Sequence, residues 1–136
     1  MTTRKMLFVD DRSKRIHSAL RQYSGEYEVT IAANVKEALR LLSRESWDVV
    51  SLDHDLTGCD FEDPDTPTCG MEIVRYIEKC GWPVFIPQPV FWIHSSNLFA
   101  AHLMSTRLAG MGLSVLHKPF QYDEQVRFPR KEVTTI

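Results

Sequence analysis

The stretch VVSLDHDLTG, residues 49–58, decides how the chain is read. Val49, Val50 and Leu52 make a short apolar run of the kind that forms a strand buried on both faces. The run then ends in Asp53, His54 and Asp55, three ionisable side chains in succession. Either these lie in a solvated turn, or they project into a site that needs two carboxylates and an imidazole.

The neighbouring segments repeat the pattern. Upstream, Met6 to Val9 is an apolar run closed by Asp10 and Asp11, and Ile16, Ala19, Leu20 and Tyr23 then recur at helical spacing, with Ser13 expected as N-cap. Tyr27 to Ala32 is rich in strand formers. Asn34, with Glu37 three residues on, opens a helix whose apolar face is Val35, Ala38, Leu39 and Leu42. Downstream, residues 54–69 contain Gly58, Pro64 and Pro67 and read as a long polar loop, a length usual for functional segments. Met71, Val74 and Ile77 mark a third helix stopped by Gly81 and Pro83. Val90 to Ile93 is a fourth strand ending at His94. Asn97 is placed to cap a helix carrying Ala101, Met104, Leu108 and Met111, which ends near Gly110 and Gly112. Ser114 to Leu116 is a fifth strand, followed by His117, Lys118, Pro119 and Phe120.

Strands alternating with helices through mostly short connections imply a parallel sheet covered on both faces by right-handed crossovers. The expected fold is a doubly wound five-stranded α/β domain of order 2-1-3-4-5, with ligands at the carboxyl ends of the strands, where strands one and three are neighbours. At 136 residues and 43% hydrophobic composition the chain suits a single domain, residues 1–136, with a core over about 5–120 and a tail at 121–136. The tail contains Pro129 and a β-branched end without amphipathic period, so a final helix is expected to be short or missing.

The formal charge of -2 gives no reason to expect duplex DNA as a partner, although Arg12, Lys14, Arg15 and Arg21 form a local basic patch. Three cysteines, Cys59, Cys69 and Cys80, lack C-x-x-C spacing and point to a reducing cytoplasm rather than a disulfide framework or zinc finger. Charged residues among the first twenty exclude the apolar middle of a signal peptide, and Pro83 to Ile93, the most apolar stretch, is too short to cross a bilayer.

The strand ends carry the chemistry. Asp10 and Asp11 come directly after the first, Asp53, His54 and Asp55 after the third, His94, Ser95, Ser96 and Asn97 after the fourth, and Lys118 after the fifth. Carboxylates gathered on one rim repel each other by roughly 4 kcal/mol per close pair at an effective dielectric near 20. A divalent cation compensates this, Mg2+ first, with Mn2+ or Zn2+ as alternatives because imidazoles favour softer ions. Lys118 and Ser95 are then candidates for binding a phosphate group, with Asn97 and the start of the fourth helix, and Arg12, as further candidates.

This constellation resembles the receiver domain of two-component response regulators. Asp10 and Asp11, Asp53, Ser95, and Lys118 with Pro119 fall in the order of that family's acid pair, phosphoacceptor, switch hydroxyl and lysine with its cis-proline. The resemblance implies a cis Lys118–Pro119 bond. It also implies metal ligation by an acid of the pair, by Asp53, and by the backbone carbonyl of Asp55. Three features depart from the receiver pattern: His54 and Asp55 directly after Asp53, His94 where an apolar residue precedes the switch hydroxyl, and the short tail. The strings SLDHDL at 51–56 and HSSN at 94–97, with the acid pair, are more similar to a receiver-derived family described as cyclic-phosphate processing.

That resemblance implies a divalent-metal-dependent phosphoesterase acting on a small phosphate compound or an RNA end, such as a 2',3'-cyclic phosphate or a cyclic nucleotide. In that reading Asp10, Asp11, Asp53 and Asp55 hold or frame the cation. His94 and His54 are the side chains suited to proton transfer near neutrality, and Asp53 is either ligand or nucleophile. Two readings compete with it: a stand-alone receiver phosphorylated on Asp53, for which nearby imidazoles have no use, and a degenerate receiver that only binds a partner. The acidic loop between Cys59 and Cys69 is read as a solvated lid, and His17, His102 and His117 as structural.

Overall fold

A computed structural model describes residues 3–58 and 61–122. Five strands and four helices alternate along the chain: β1 (Arg4–Val9), α1 (Ser13–Tyr23), β2 (Tyr27–Ala32), α2 (Val35–Arg44), β3 (Val49–Leu52), α3 (Gly70–Cys80), β4 (Val90–Ile93), α4 (Leu98–Gly110) and β5 (Ser114–His117). All neighbours in the sheet pair in parallel, in the order β2-β1-β3-β4-β5. This is the doubly wound, flavodoxin-like arrangement expected from the sequence. The expectation about a final helix falls largely on residues 123–136, outside the described residues.

The period of two along β1 explains why its apolar run is continuous. Leu7 and Val9 face a large core packed by α2, α3 and α4, whereas Met6 and Phe8 face a smaller core shared with Ala19 of α1. Strands covered on both faces need apolar residues at every position. Among the described residues, no helix is long and apolar enough to cross a membrane.

The helix ends show which local signals acted. Asn34 Oδ1 accepts from Glu37 N at 2.8 Å, and Asn97 Oδ1 accepts from Ala100 N at 3.2 Å, so both asparagines cap as expected. Ser13 does not. It is the first residue of α1, and the cap position belongs to Arg12, which makes no side-chain cap bond. The chain leaves α3 through Gly81 at φ 73°, a left-handed conformation that glycine adopts without penalty. His17, His102 and His117 are all exposed and take no part in either core.

Candidate active site

The parallel ladder extends one residue beyond each strand, and this fixes the rim. Asp10 N donates to Ala32 O, Asp53 N to Val9 O, His94 N to Leu52 O, and Lys118 N to Ile93 O, at 2.8–3.1 Å. The backbones of the residues singled out at the strand tips are therefore in register. Their side chains do not all go to the same place.

Asp10, Asp53 and His94 converge. They are 0%, 2% and 3% exposed, and donor atoms from the three lie within 4.8 Å of one another. His94 is fixed on both sides: Nδ1 lies 2.7 Å from Ser51 Oγ, and Nε2 lies 2.9 Å from Asp10 Oδ2. Its ring stacks on Phe8 with centroids 4.5 Å apart and planes 3° from parallel. Since an ionised carboxylate only accepts, Nε2 donates to Asp10 Oδ2, and Nδ1 pairs with the Ser51 hydroxyl.

A further group, Arg15 of α1, enters the cluster. Its Nε donates to Asp10 Oδ2 at 2.7 Å, and its Nη2 donates to Asp10 Oδ1 at 3.2 Å and to Asp53 Oδ2 at 2.8 Å. The sequence placed Arg15 only within a basic patch. The signal that finds it is its position four residues before buried Ala19, which turns it to the inner face of α1. Ser51, the hydroxyl inside an apolar strand, was equally missed as the partner of His94.

These contacts separate the two acids electrostatically. Burial pushes the Asp10 carboxyl up, but the bond and field of His94, then Arg15 and the Arg12 amide, outweigh it and hold Asp10 below the usual carboxylate range. Burial dominates at Asp53 and raises it to about 6. The field of Asp10 adds to that rise, while His94, Arg15 and the His54 amide oppose it. Arg15 itself is held above its ordinary value: the bond and charge of Asp10, with the charge of Asp53, outweigh its own burial.

His54 and Asp55 form a second unit beside the first. His54 is fully buried, with Nδ1 2.7 Å from Asp55 Oδ1. Burial lowers its pKa, yet interactions with the Cys69 thiol and with Asp55 outweigh this and raise it. Its Nε2 makes no hydrogen bond. Asp55 also accepts from Phe61 N and Glu62 N at 2.9 Å and from Asn97 Nδ2 at 3.4 Å; burial raises its carboxyl, but the bond to His54 first, then these three, outweigh burial and hold it below the usual range. Glu62 accepts from Leu56 N and from Thr66 and Thr68 hydroxyls. Where it is described, the acidic loop is stitched by these bonds, and residues 61–68 are exposed or half-buried, as expected of a solvated segment. Cys69 is buried with a free thiol, and Cys59 lies outside the described residues.

The remaining candidates are not part of this donor set. Asp11 accepts from Gly58 N at 2.7 Å through Oδ2, and its buried Oδ1 has no hydrogen-bond partner. Ser95 Oγ accepts from Asn97 N at 3.0 Å, so it shapes the entry to α4. Arg12 contributes its backbone amide to Asp10 Oδ1 at 2.9 Å. Lys118 is exposed, with Nζ 3.8 Å from the centre of the Trp92 ring and 5.8 Å from that of Tyr23, on the α1 side of the sheet. The expected cis bond at Lys118–Pro119 is corrected: no peptide bond among the described residues is cis.

Two carboxylates and an imidazole within 4.8 Å are a donor set that fits a divalent cation. The fit has a condition, because Arg15 already holds oxygens of both acids.

A parallel 2-1-3-4-5 sheet with acids at the tips of β1 and β3 defines a domain of the receiver class. Solved structures agree on the fold. The chain is similar to a Francisella response regulator receiver domain at 20% identity, covering 98% of this chain and all of that one, with a TM-score of 0.61. It is similar to a Thermotoga maritima response regulator solved in complex with Mg2+ and BeF at 21% identity, covering 95% and 98% of the two chains, TM-score 0.59. It is also similar to a Burkholderia pseudomallei response regulator with a phosphorylated aspartic acid, a calcium ion and citrate, at 18% identity over 97% and 71% of the chains, TM-score 0.60. No curated protein matches. The chain belongs to the cyclic-phosphate processing receiver domain family, whose model matches residues 5–110.

Proposed function

We propose that this domain hydrolyses cyclic phosphates, opening a phosphodiester such as a 2',3'-cyclic nucleotide or RNA end with water. The observation that carries this reading is the His94 imidazole, locked between Ser51 and Asp10 and gathered with Asp53 at the strand tips. A phosphoacceptor that stores its signal as an acyl phosphate has no use for a proton donor there. A hydrolase has one, because the P–O bond that breaks leaves an alkoxide that must be protonated as water adds to phosphorus. Membership of the family supports the same reading.

Asp10 and Asp53 are the residues that would hold a divalent cation, Mg2+ or Mn2+, with His94 beside them. Such an ion supplies polarisation of phosphoryl oxygens and activation of water. His94 holds a proton on Nε2 at the Asp10 carboxylate, and the Ser51 hydroxyl at Nδ1 fixes the orientation of the ring. Phe8 excludes water from one face of the ring. His54, pinned by Asp55, positions the turn after β3 and donates its backbone amide to Asp53 Oδ1 at 2.9 Å.

The test incubates the protein with Mg2+ or Mn2+ and either 2',3'-cyclic nucleotides or acetyl phosphate. Turnover of the cyclic substrate is expected, and His94→Ala should lower kcat by about a hundredfold or more. A long-lived adduct at Asp53 without turnover would instead establish a stand-alone phosphoacceptor receiver.

A further inference from the structure

Asp10 has no acceptor capacity to spare. Its Oδ1 accepts from Arg12 N and Arg15 Nη2, and its Oδ2 accepts from His94 Nε2 and Arg15 Nε. Four donors fill the four lone-pair positions of a carboxylate. Asp53 accepts two donors, Oδ1 from His54 N and Oδ2 from Arg15 Nη2. A cation that takes an oxygen from both acids must therefore displace a donor of Asp10.

Three of those donors are fixed. The amides of Arg12 and His54 belong to the turns after β1 and β3, and His94 is wedged between Phe8 and Ser51. Arg15 is different: it hangs on a flexible stem from α1 at the outer edge of the cluster, 12% exposed, and brings a full positive charge to two buried acids.

We propose that Arg15 is a built-in counter-ion that occupies the cation position between Asp10 and Asp53, so that a divalent ion enters only by exchange with the Arg15 side chain. Metal binding is then a competition within the chain, and removing the guanidinium strengthens it. The inference rests on the cation site of the proposed function but not on its substrate.

Mn2+ binding is measured by calorimetry on wild type, Arg15→Met, which keeps an unbranched stem without charge, and Arg15→Lys, which keeps charge without the fork. Arg15→Met should bind at least tenfold more tightly than wild type, with Arg15→Lys between them. Equal or weaker binding by Arg15→Met, or no binding by any of the three, overturns the exchange. If Arg15→Met fails to fold, wild type alone decides through the Arg15 Nε–H resonance during Mg2+ titration. The resonance should move from its ion-paired position as the ion saturates, and a saturable Mg2+ effect elsewhere with this resonance unmoved overturns the proposal. Because no turnover is read, a failure here leaves cyclic-phosphate hydrolysis to its own assay, and a failure there leaves the exchange standing.

Discussion

Asp53 shows how a single residue carries opposing demands. In metal-free protein its carboxyl is raised to about 6, chiefly by burial. Between the ordinary value of 3.8 and about 6 the folded state therefore binds a proton that the unfolded chain does not. That contribution is fully present below 3.8 and is lost as pH rises through 6. Asp53→Asn keeps the neutral shape at every pH, so it should match wild type near pH 4 and be more stable at pH 8 by about 1–3 kcal/mol. Urea unfolding in EDTA at the two pH values measures this, and a variant less stable at pH 8 would mean that the bond from Arg15 outweighs the cost of burial. Asp10 runs the other way. Its depressed carboxyl contributes stability above 3.8 that disappears on acidification.

At the scale of elements, the close approach of α3 to the tip of β3 sets where Asp53 and His54 sit. Gly70 N donates to His54 O at 2.7 Å, and a Cβ at Gly70 would stand 2.2 Å from the Asp53 carbonyl oxygen and 3.0 Å from His54 Cα. Backbone cannot yield as a side-chain tip does. Gly70→Ala should therefore cost about 3 kcal/mol, seen as a drop in Tm of roughly 10 °C. A Tm within about 2 °C of wild type would show that α3 slides without penalty. The caps act more gently: Asn97→Ala removes the cap bond to Ala100 N and the amide bond to Asp55, and should cost about 1 kcal/mol by thermal unfolding. Helix existence and order were legible from the period of Val35, Ala38 and Leu42 or of Met71, Val74 and Ile77. The start of α1 was not, because Ser13 is one residue inside the helix and the cap position falls to Arg12.

The whole molecule separates residues that the strand-tip pattern grouped together. Lys118 comes after β5 as the resemblance requires, yet its ammonium lies over the Trp92 ring and makes no ion pair with Asp10 or Asp53, both of which Arg15 bridges. Lys118→Ala should accordingly change turnover of a cyclic phosphate by less than about threefold, since a group away from the reacting atoms adds little to transition-state binding. A loss of about a hundredfold in steady-state kinetics would place the lysine at the phosphate after all. The cation that pairs with both acids in the fold is Arg15, from the opposite end of the chain.

The alternation of strands and helices, the 2-1-3-4-5 sheet and the arrival of Asp10, Asp53 and His94 at strand tips were all readable from the order of residues, because burial on two faces and ladder register are written in local periodicity. That Arg15 closes on both acids, that Ser51 holds His94, that Asp55 ties down its own loop and that Lys118 lies over Trp92 emerged only on folding. Those choices depend on which way each side chain leaves a backbone already in register, and on which charges burial forces to find a partner.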